Sequence, residues 1–369
     1  MSGIYVHVPF CKSKCTYCDF ASYPEKLAKA ESYFACLYRE IKGRGMQLKD
    51  KVFDTVYIGG GTPSIVDADL IVGTLRQIRN CFNLTKDAEI TIEINPGTIT
   101  EEKVKKYKSV GINRFSIGLQ TGFNDQLERL NRIHTAKDFL LCTNLLKGEN
   151  YSADVLIGLH DQTAEQVQKT LQLAIAGGVS HVSVYALTPE VGTPIYSDYL
   201  NGLLPSDDET AELYVTAKNY LKENGFDMYE VSNFAKKGYE SKHNMNYWER
   251  GEYIGVGVSA SSFIDGRRFT NSYNVEEYMN AVILNKFPEI SSEKIEGEDA
   301  EFEFIMLALR TKKGMSVTKF NKEFNVDFAE KYKKALQKEA EFIDFDGETL
   351  KIKEEYMYVQ NSIITEFME

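Results

Sequence analysis

The sequence predicts an α/β protein: a partial (βα)6 TIM-type barrel, an additional β region and a small C-terminal α+β cap domain. Three observations carry this. β-rich runs at residues 4–9, 55–59, 90–95, 114–120, 153–159 and 182–187 alternate with amphipathic stretches at 25–42, 68–81, 101–110, 136–146 and 164–176. That rhythm belongs to a parallel sheet. Within the runs, apolar and polar residues also alternate: Ile4, Val6 and Val8 against Tyr5, His7 and Pro9; Ile90, Ile92 and Ile94 against Thr91, Glu93 and Asn95; Phe115, Ile117 and Leu119 against Ser116, Gly118 and Gln120. Finally, the six βα units are fewer than the eight that close a full barrel. Covering helices take the apolar face, so the polar face lines the interior. Polar residues near strand C-termini then gather at the mouth, where such folds place their sites.

The order along the chain gives three regions. Residues 1–190 form the partial barrel. Residues 191–295 form an extension: Pro189, Gly192, Pro194, Gly202 and Pro205 mark a long loop, a helix follows at 208–223, and a β-like region reaches about residue 272. It contains His243-Asn-Met-Asn-Tyr247-Trp248 and Gly255–Gly257. Residues 296–369, set off by the charge run at 296–299, read as the cap, with helices at 304–309, 317–323 and 329–340 and a hairpin at 342–352.

At 43% hydrophobic and 26% charged over 369 residues, the composition is that of a globular protein. A net charge of −11 argues against a nucleic-acid partner held by bulk electrostatics, and the Glu-rich cap argues against a DNA-reading helix. No apolar run is long enough to span a membrane, which leaves only peripheral membrane contact open. The N-terminus lacks the basic start and long apolar core of a secretory signal, so a cytoplasmic location is expected.

Six cysteines are too few for a disulfide scaffold, and three crowd into Cys11-Lys-Ser-Lys-Cys15-Thr-Tyr-Cys18 just after the first strand. Three soft thiolates on one loop suit a 4Fe-4S cluster with one iron left open. Zinc would want a fourth ligand such as Asp19 or His7, and the spacing is not that of a zinc hairpin. Cys36, Cys81 and Cys142 stand singly among apolar neighbours and read as core.

The cysteine motif, with Tyr17 before its last member and Gly59-Gly60-Gly61-Thr62-Pro63 after the second strand, resembles the radical S-adenosylmethionine (SAM) superfamily. In that superfamily the open iron binds the amino and carboxylate groups of SAM, and the reduced cluster cleaves it to a radical. More narrowly the chain resembles the family of oxygen-independent coproporphyrinogen III oxidase and its haem-chaperone branch. The likeness runs through residues 3–11, 59–63, Glu93–Pro96, Arg114–Gln120, Asn131–His134, Asp154–Gly158 and Tyr229–Phe234 into His243–Trp248. It implies SAM contacts at Tyr5, Gly60, Gly61, Thr62, Glu93, Gln120, Arg132 and Asp154, with Arg132 the natural partner of a carboxylate.

The oxidase has a longer stretch before the cysteines and a further cysteine where this chain has Phe20; both departures favour the chaperone branch. So does the H-N-x-x-Y-W signature, which implies haem contact at His243, Tyr247 and Trp248, the chain's single tryptophan. Against the family pattern, His160 stands where relatives carry proline, and Ser261 where they usually carry histidine. The resemblance thus implies a haem chaperone with haem or porphyrin, a haem-acceptor protein and an electron donor such as flavodoxin or ferredoxin as partners. The alternative is radical decarboxylation of coproporphyrinogen III to protoporphyrinogen IX.

Overall fold

The computed structural model describes residues 1–368. Six strands pair in chain order as a parallel sheet: β1 (Ser2–Val8), β2 (Val52–Gly60), β3 (Asn83–Ile94), β4 (Arg114–Gln120), β5 (Tyr151–Ile157) and β6 (His181–Ala186). Their alternation sorts the side chains as expected. Ile4, Val6, Ile58, Ile92, Phe115 and Ile117 are sealed under the outer helices, while the register sets Tyr5, Tyr57, Thr91 and Arg114 in one interior row.

The helices start where the sequence supplies caps. Asp67 accepts from the Asp69 amide ahead of helix Ala68–Cys81, whose Ile71, Val72, Leu75 and Ile78 face the sheet. Thr135 with Asp138, and Thr163 with Gln166, close capping boxes at the helices Ala136–Leu145 and Ala164–Ala176. The first barrel helix, expected at 25–42, is a 3-10 turn (Pro24–Lys29) running into a helix over Ala30–Gln47. It continues through Gly45 because a Cβ there would stand 2.5 Å from the Cys81 carbonyl oxygen, so glycine permits the close helix–helix approach.

The extension adds more sheet than expected. β7 (Asp227–Glu230) and β8 (Asn233–Ala235) pair antiparallel beyond β6. At the other side β9 (Glu252–Val256) lies parallel to β1, giving seven consecutive parallel strands, and β10 (Ser261–Ile264), β11 (Arg267–Asn271) and β12 (Glu289–Lys294) continue antiparallel. Two expectations in this region are corrected. The loop after residue 187 contains a helix, Pro194–Leu200, with Pro194 in the first turn where its missing N–H is harmless. The segment read as β-like around His243 is a helix, Lys242–Trp248, capped by Ser241.

The C-terminal part holds a three-stranded antiparallel sheet of β13 (Met315–Ser316), β14 (Ile343–Phe345) and β15 (Thr349–Ile352), with helices around it. The helix expected at 304–309 runs Glu298–Ala308, and the one expected at 329–340 is two short pieces, Phe328–Lys331 and Lys333–Lys338. Arg250 and Arg268 of the extension both pair with Glu303, at 2.8 and 2.6 Å, tying this part to the barrel. Among the described residues no helix is long and apolar enough to cross a membrane.

Candidate functional site

The cysteine loop leaves β1 and is held in place from two sides. On one side Gly61 and Thr62 donate their amides to the Val8 and Phe10 carbonyls, at 2.8 and 2.7 Å. On the other, Asn131 donates to the Lys14 carbonyl at 2.8 Å, and Thr16 to the Leu130 carbonyl at 3.2 Å. The three thiols face a cavity of about 550 Å3 at the C-terminal ends of the parallel strands. Cys11 Sγ lies 3.5 Å from Thr62 Oγ1, Cys18 Sγ 3.8 Å from Ser22 Oγ, and Cys15 Sγ accepts from Arg132 Nη1 at 3.6 Å.

Each glycine of the run that ends β2 is explained by what a side chain would strike. A Cβ on Gly59 would meet the Glu93 carboxyl at 2.9 Å, and one on Gly61 the Phe10 carbonyl oxygen at 2.6 Å and Cys11 Sγ at 3.0 Å. Gly60 adopts φ +113°, and a Cβ on it would stand 2.7 Å from the His7 ring. His7 itself is committed: Nε2–H donates to the Ala21 carbonyl at 2.8 Å, and Nδ1 accepts from the Tyr5 hydroxyl at 3.0 Å. It is therefore not a spare metal ligand. Among the described residues no three His, Cys, Asp or Glu side chains gather on one point for a single ion; the thiols instead surround open volume.

Arg132 crosses the floor of this cavity. Its Nη2 donates to Asn95 Oδ1 at 2.8 Å and to the Gly118 carbonyl at 2.9 Å. A Cβ on Gly118 would stand 2.8 Å from that nitrogen, so the glycine makes the room. Its buried Nε has no hydrogen-bond partner among the described residues, an unspent donor beside three thiols. Glu93 accepts from the Tyr57 hydroxyl at 2.9 Å and the Gly60 amide at 3.2 Å. Burial, aided by the charge of Asp154, pushes its carboxyl up to about 7. Asp154 accepts from Ser116 Oγ at 3.1 Å and is likewise raised by burial, against the pull of Ser183 and Ser116. Gln120 sits at φ +66°, where β4 and β5 shift register, and its side chain is turned to the same cavity.

Seven of the eight residues expected to contact SAM (Gly60, Gly61, Thr62, Glu93, Gln120, Arg132 and Asp154) thus line one cavity with the cysteines. Tyr5 does not: it stacks behind Tyr57, ring centres 6.4 Å apart, and borders a second cavity. Asn95, Ser116, Tyr57 and Tyr185 also line the mouth. The first two lie on the polar strand faces already visible in the alternation; nothing local marks the tyrosines.

The residues expected at haem are placed elsewhere. His243 is 1% exposed at the opposite end of the barrel, with Nδ1 bonded to Thr55 Oγ1 at 2.7 Å and Nε2 to the Tyr247 hydroxyl at 2.9 Å. Neither ring nitrogen is free for iron. Trp248 packs towards Arg310 of the C-terminal part, 5.9 Å from guanidinium carbon to ring centre. Tyr247 borders the second cavity, which Ser261 also lines. His160 pairs with Asp198 at 3.0 Å on the helix Pro194–Leu200.

Residues 5–174 match the radical SAM superfamily, and residues 295–357 the HemN C-terminal domain. The chain is 34% identical over 347 residues to the heme chaperone HemW of Buchnera aphidicola subsp. Schizaphis graminum, covering 91% of this chain and 90% of that one. The chain belongs to the HemW family. HemW of Bacillus subtilis is 32% identical over 342 residues (91% and 88% covered), and that of Escherichia coli 34% over 317 residues (84% and 82%). Among solved structures, coproporphyrinogen III oxidase (HemN) from Escherichia coli superposes with a TM-score of 0.88 at 20% identity, over 100% of this chain and 90% of that one, a likeness of fold. A radical SAM protein implies a 4Fe-4S cluster and SAM. The residues fit both: burial raises the thiols of Cys11 and Cys18, so a soft cation is what would hold them as thiolates, and Arg132 Nε awaits an acceptor.

Proposed function

We propose that this HemW-family protein holds a 4Fe-4S cluster on Cys11, Cys15 and Cys18, binds SAM beside it, and passes haem to acceptor proteins in the cytoplasm. The observation that carries the cofactor reading is the mouth cavity, where three thiols share a wall with the unspent Arg132 Nε and the carboxyls of Glu93 and Asp154. The haem reading rests on kinship with relatives named heme chaperones over most of both chains. When bound, the cluster supplies an open iron for the amino acid end of SAM and an electron. The chain's own part is binding and orientation. Arg132 pairs with the methionyl carboxylate. Gly60 and Gly61 allow the backbone to approach the amine, and Glu93, Asp154 and Gln120 take the polar hydrogens of amine and ribose. A small reduced flavodoxin or ferredoxin is the electron donor this site would take.

The test uses one anaerobically reconstituted preparation in two assays. Haem-loaded protein is mixed with an apo-haemoprotein and the acceptor's Soret band followed; separately, coproporphyrinogen III, SAM and reductant are supplied and tetrapyrrole products analysed. Haem transfer without decarboxylation is expected. Conversion to protoporphyrinogen IX without haem transfer would establish the oxidase reading instead.

A further inference from the structure

Across the cysteine loop from the mouth lies a second cavity of about 490 Å3, within the span of about 300–1,000 Å3 typical of small-molecule sites. Five tyrosines from separate segments wall it: Tyr5 of β1, Tyr23 after the cysteine loop, Tyr247 of the helix Lys242–Trp248, Tyr253 of β9 and Tyr273 after β11. Four of the five hydroxyls are already engaged. Tyr5 donates to His7 at 3.0 Å, Tyr247 bonds His243 at 2.9 Å, Tyr23 donates to the Tyr273 carbonyl, and Tyr253 accepts from Arg268. What these residues offer an occupant is therefore ring surface, which suits a flat, conjugated, largely apolar body.

The fifth differs. Tyr273 is 58% exposed at the rim, and its hydroxyl has no hydrogen-bond partner among the described residues. A free phenol oxygen is a ligand that holds haem iron. Phe20, 69% exposed, stands at the same rim. Lys14 is the one Lys or Arg among the lining residues, with Asp19 beside it, so the rim offers a cation to a carboxylate arm but no general basic field.

We infer that this tyrosine-walled cavity is the seat of haem: the macrocycle packs on Tyr5, Tyr247 and Tyr253, a propionate reaches Lys14, and Tyr273 faces the iron. The inference rests on the haem-carrying reading above and adds to it a location away from His243 Nε2. Lys14, Asp19 and Phe20 line both cavities. The cysteine loop is thus a wall common to haem and cluster.

Ser261 offers the test, because it sits on β10, on the wall away from the cysteine loop, and its hydroxyl bonds only the partly exposed Thr270, at 2.9 Å. Full-length reconstituted protein is titrated with ferric haem and with iron-free protoporphyrin; iron content and SAM binding on the same preparations control for folding. Ser261→Phe fills the cavity and should weaken both tetrapyrroles at least tenfold with the cluster intact. Ser261→His introduces an imidazole and should shift the Soret band. Tyr273→Phe should change the ferric spectrum and leave iron-free protoporphyrin binding unaltered. If wild type binds haem while all three variants keep its affinity and spectrum, haem sits elsewhere and the inference falls with the chaperone reading intact. If wild type binds no haem, the chaperone reading itself fails and takes this site with it.

Discussion

The two ends of the barrel interior are both polar, yet they differ in what their polar groups have left to give. At the base, His243 stacks on Tyr57 with ring centres 5.2 Å apart, both its nitrogens are bonded, and the amides of Lys242 and His243 donate to the Glu89 carboxylate at 3.1 and 3.0 Å. Even Gly3 serves the seal, since a Cβ there would stand 2.9 Å from the imidazole. At the mouth, Arg132 keeps an unpartnered Nε, and Glu93 and Asp154 border open volume. Tyr57 divides the ends: its ring lies on His243 and its hydroxyl on Glu93. Unpartnered atoms are not confined to the mouth, since Arg114 Nε, Thr91 Oγ1 and Trp248 Nε1 also lack partners among the described residues. What sets the mouth apart is that Arg132 lines open volume together with three thiols and the carboxyls of Glu93 and Asp154.

That contrast can be broken most completely at the cysteines. Replacing Cys11, Cys15 and Cys18 together by Ala should abolish the visible absorbance of the reconstituted cluster. Single Ala substitutions at Cys36, Cys81 or Cys142 should leave iron content unchanged, and loss of iron in any of these would move the cluster away from the mouth.

The base should respond in stability rather than in ligand binding. His243→Ala strips a partner from two hydroxyls in a sealed site and should cost about 2–4 kcal/mol in urea unfolding. A cost under about 1 kcal/mol would mean that the base is not sealed as described.

Back at the mouth, Arg132→Ala should weaken SAM binding by about 1.5–3 kcal/mol, roughly ten- to a hundredfold, with the cluster retained. Calorimetric titration reads it directly, and unchanged affinity would place the SAM carboxylate elsewhere.

Unfolding should also depend on pH. Burial, with Arg114 adding to it, lowers His243 to about 3, and burial lowers His7 and His134 to about 4, from the ordinary 6.5. These imidazoles stay neutral in the fold while the unfolded chain takes up protons. Their contribution is complete above pH 6.5 and is lost as pH falls towards 3–4, at up to about 1.4 kcal/mol per pH unit for each site. Glu93 has the opposite sign: its carboxyl is raised from 4.5 to about 7, so its contribution is present at low pH and lost as pH rises between those values. His243→Gln should flatten the acid limb, and an unaltered slope in pH-dependent urea melts would show that this imidazole is not buried neutral.

The strand positions, their inward faces and the cysteine loop were legible because each is written locally, in period-two alternation or close spacing. β3 was underestimated: its first half, residues 83–89, is largely polar, and it pairs with the start of β2 through an irregular register. The helix Lys242–Trp248 was hidden among aromatic and Asn residues of low helix propensity and is maintained by packing on β1, β2 and β9. Which polar interior residues are satisfied was not legible at all. Gly60 answers to His7, Gly118 to Arg132, and His243 to Thr55, partners that only the fold brings together.

The division of the barrel into a binding mouth and a sealed base is tested most directly by titrating SAM calorimetrically into reconstituted His243→Ala. The affinity should stay within about twofold of wild type although the protein is measurably less stable, because His243 spends both nitrogens on Thr55 and Tyr247 and meets the mouth only through the ring of Tyr57, whose hydroxyl stays on Glu93. A loss of SAM binding as large as that of Arg132→Ala, with the cluster still present, would contradict the division.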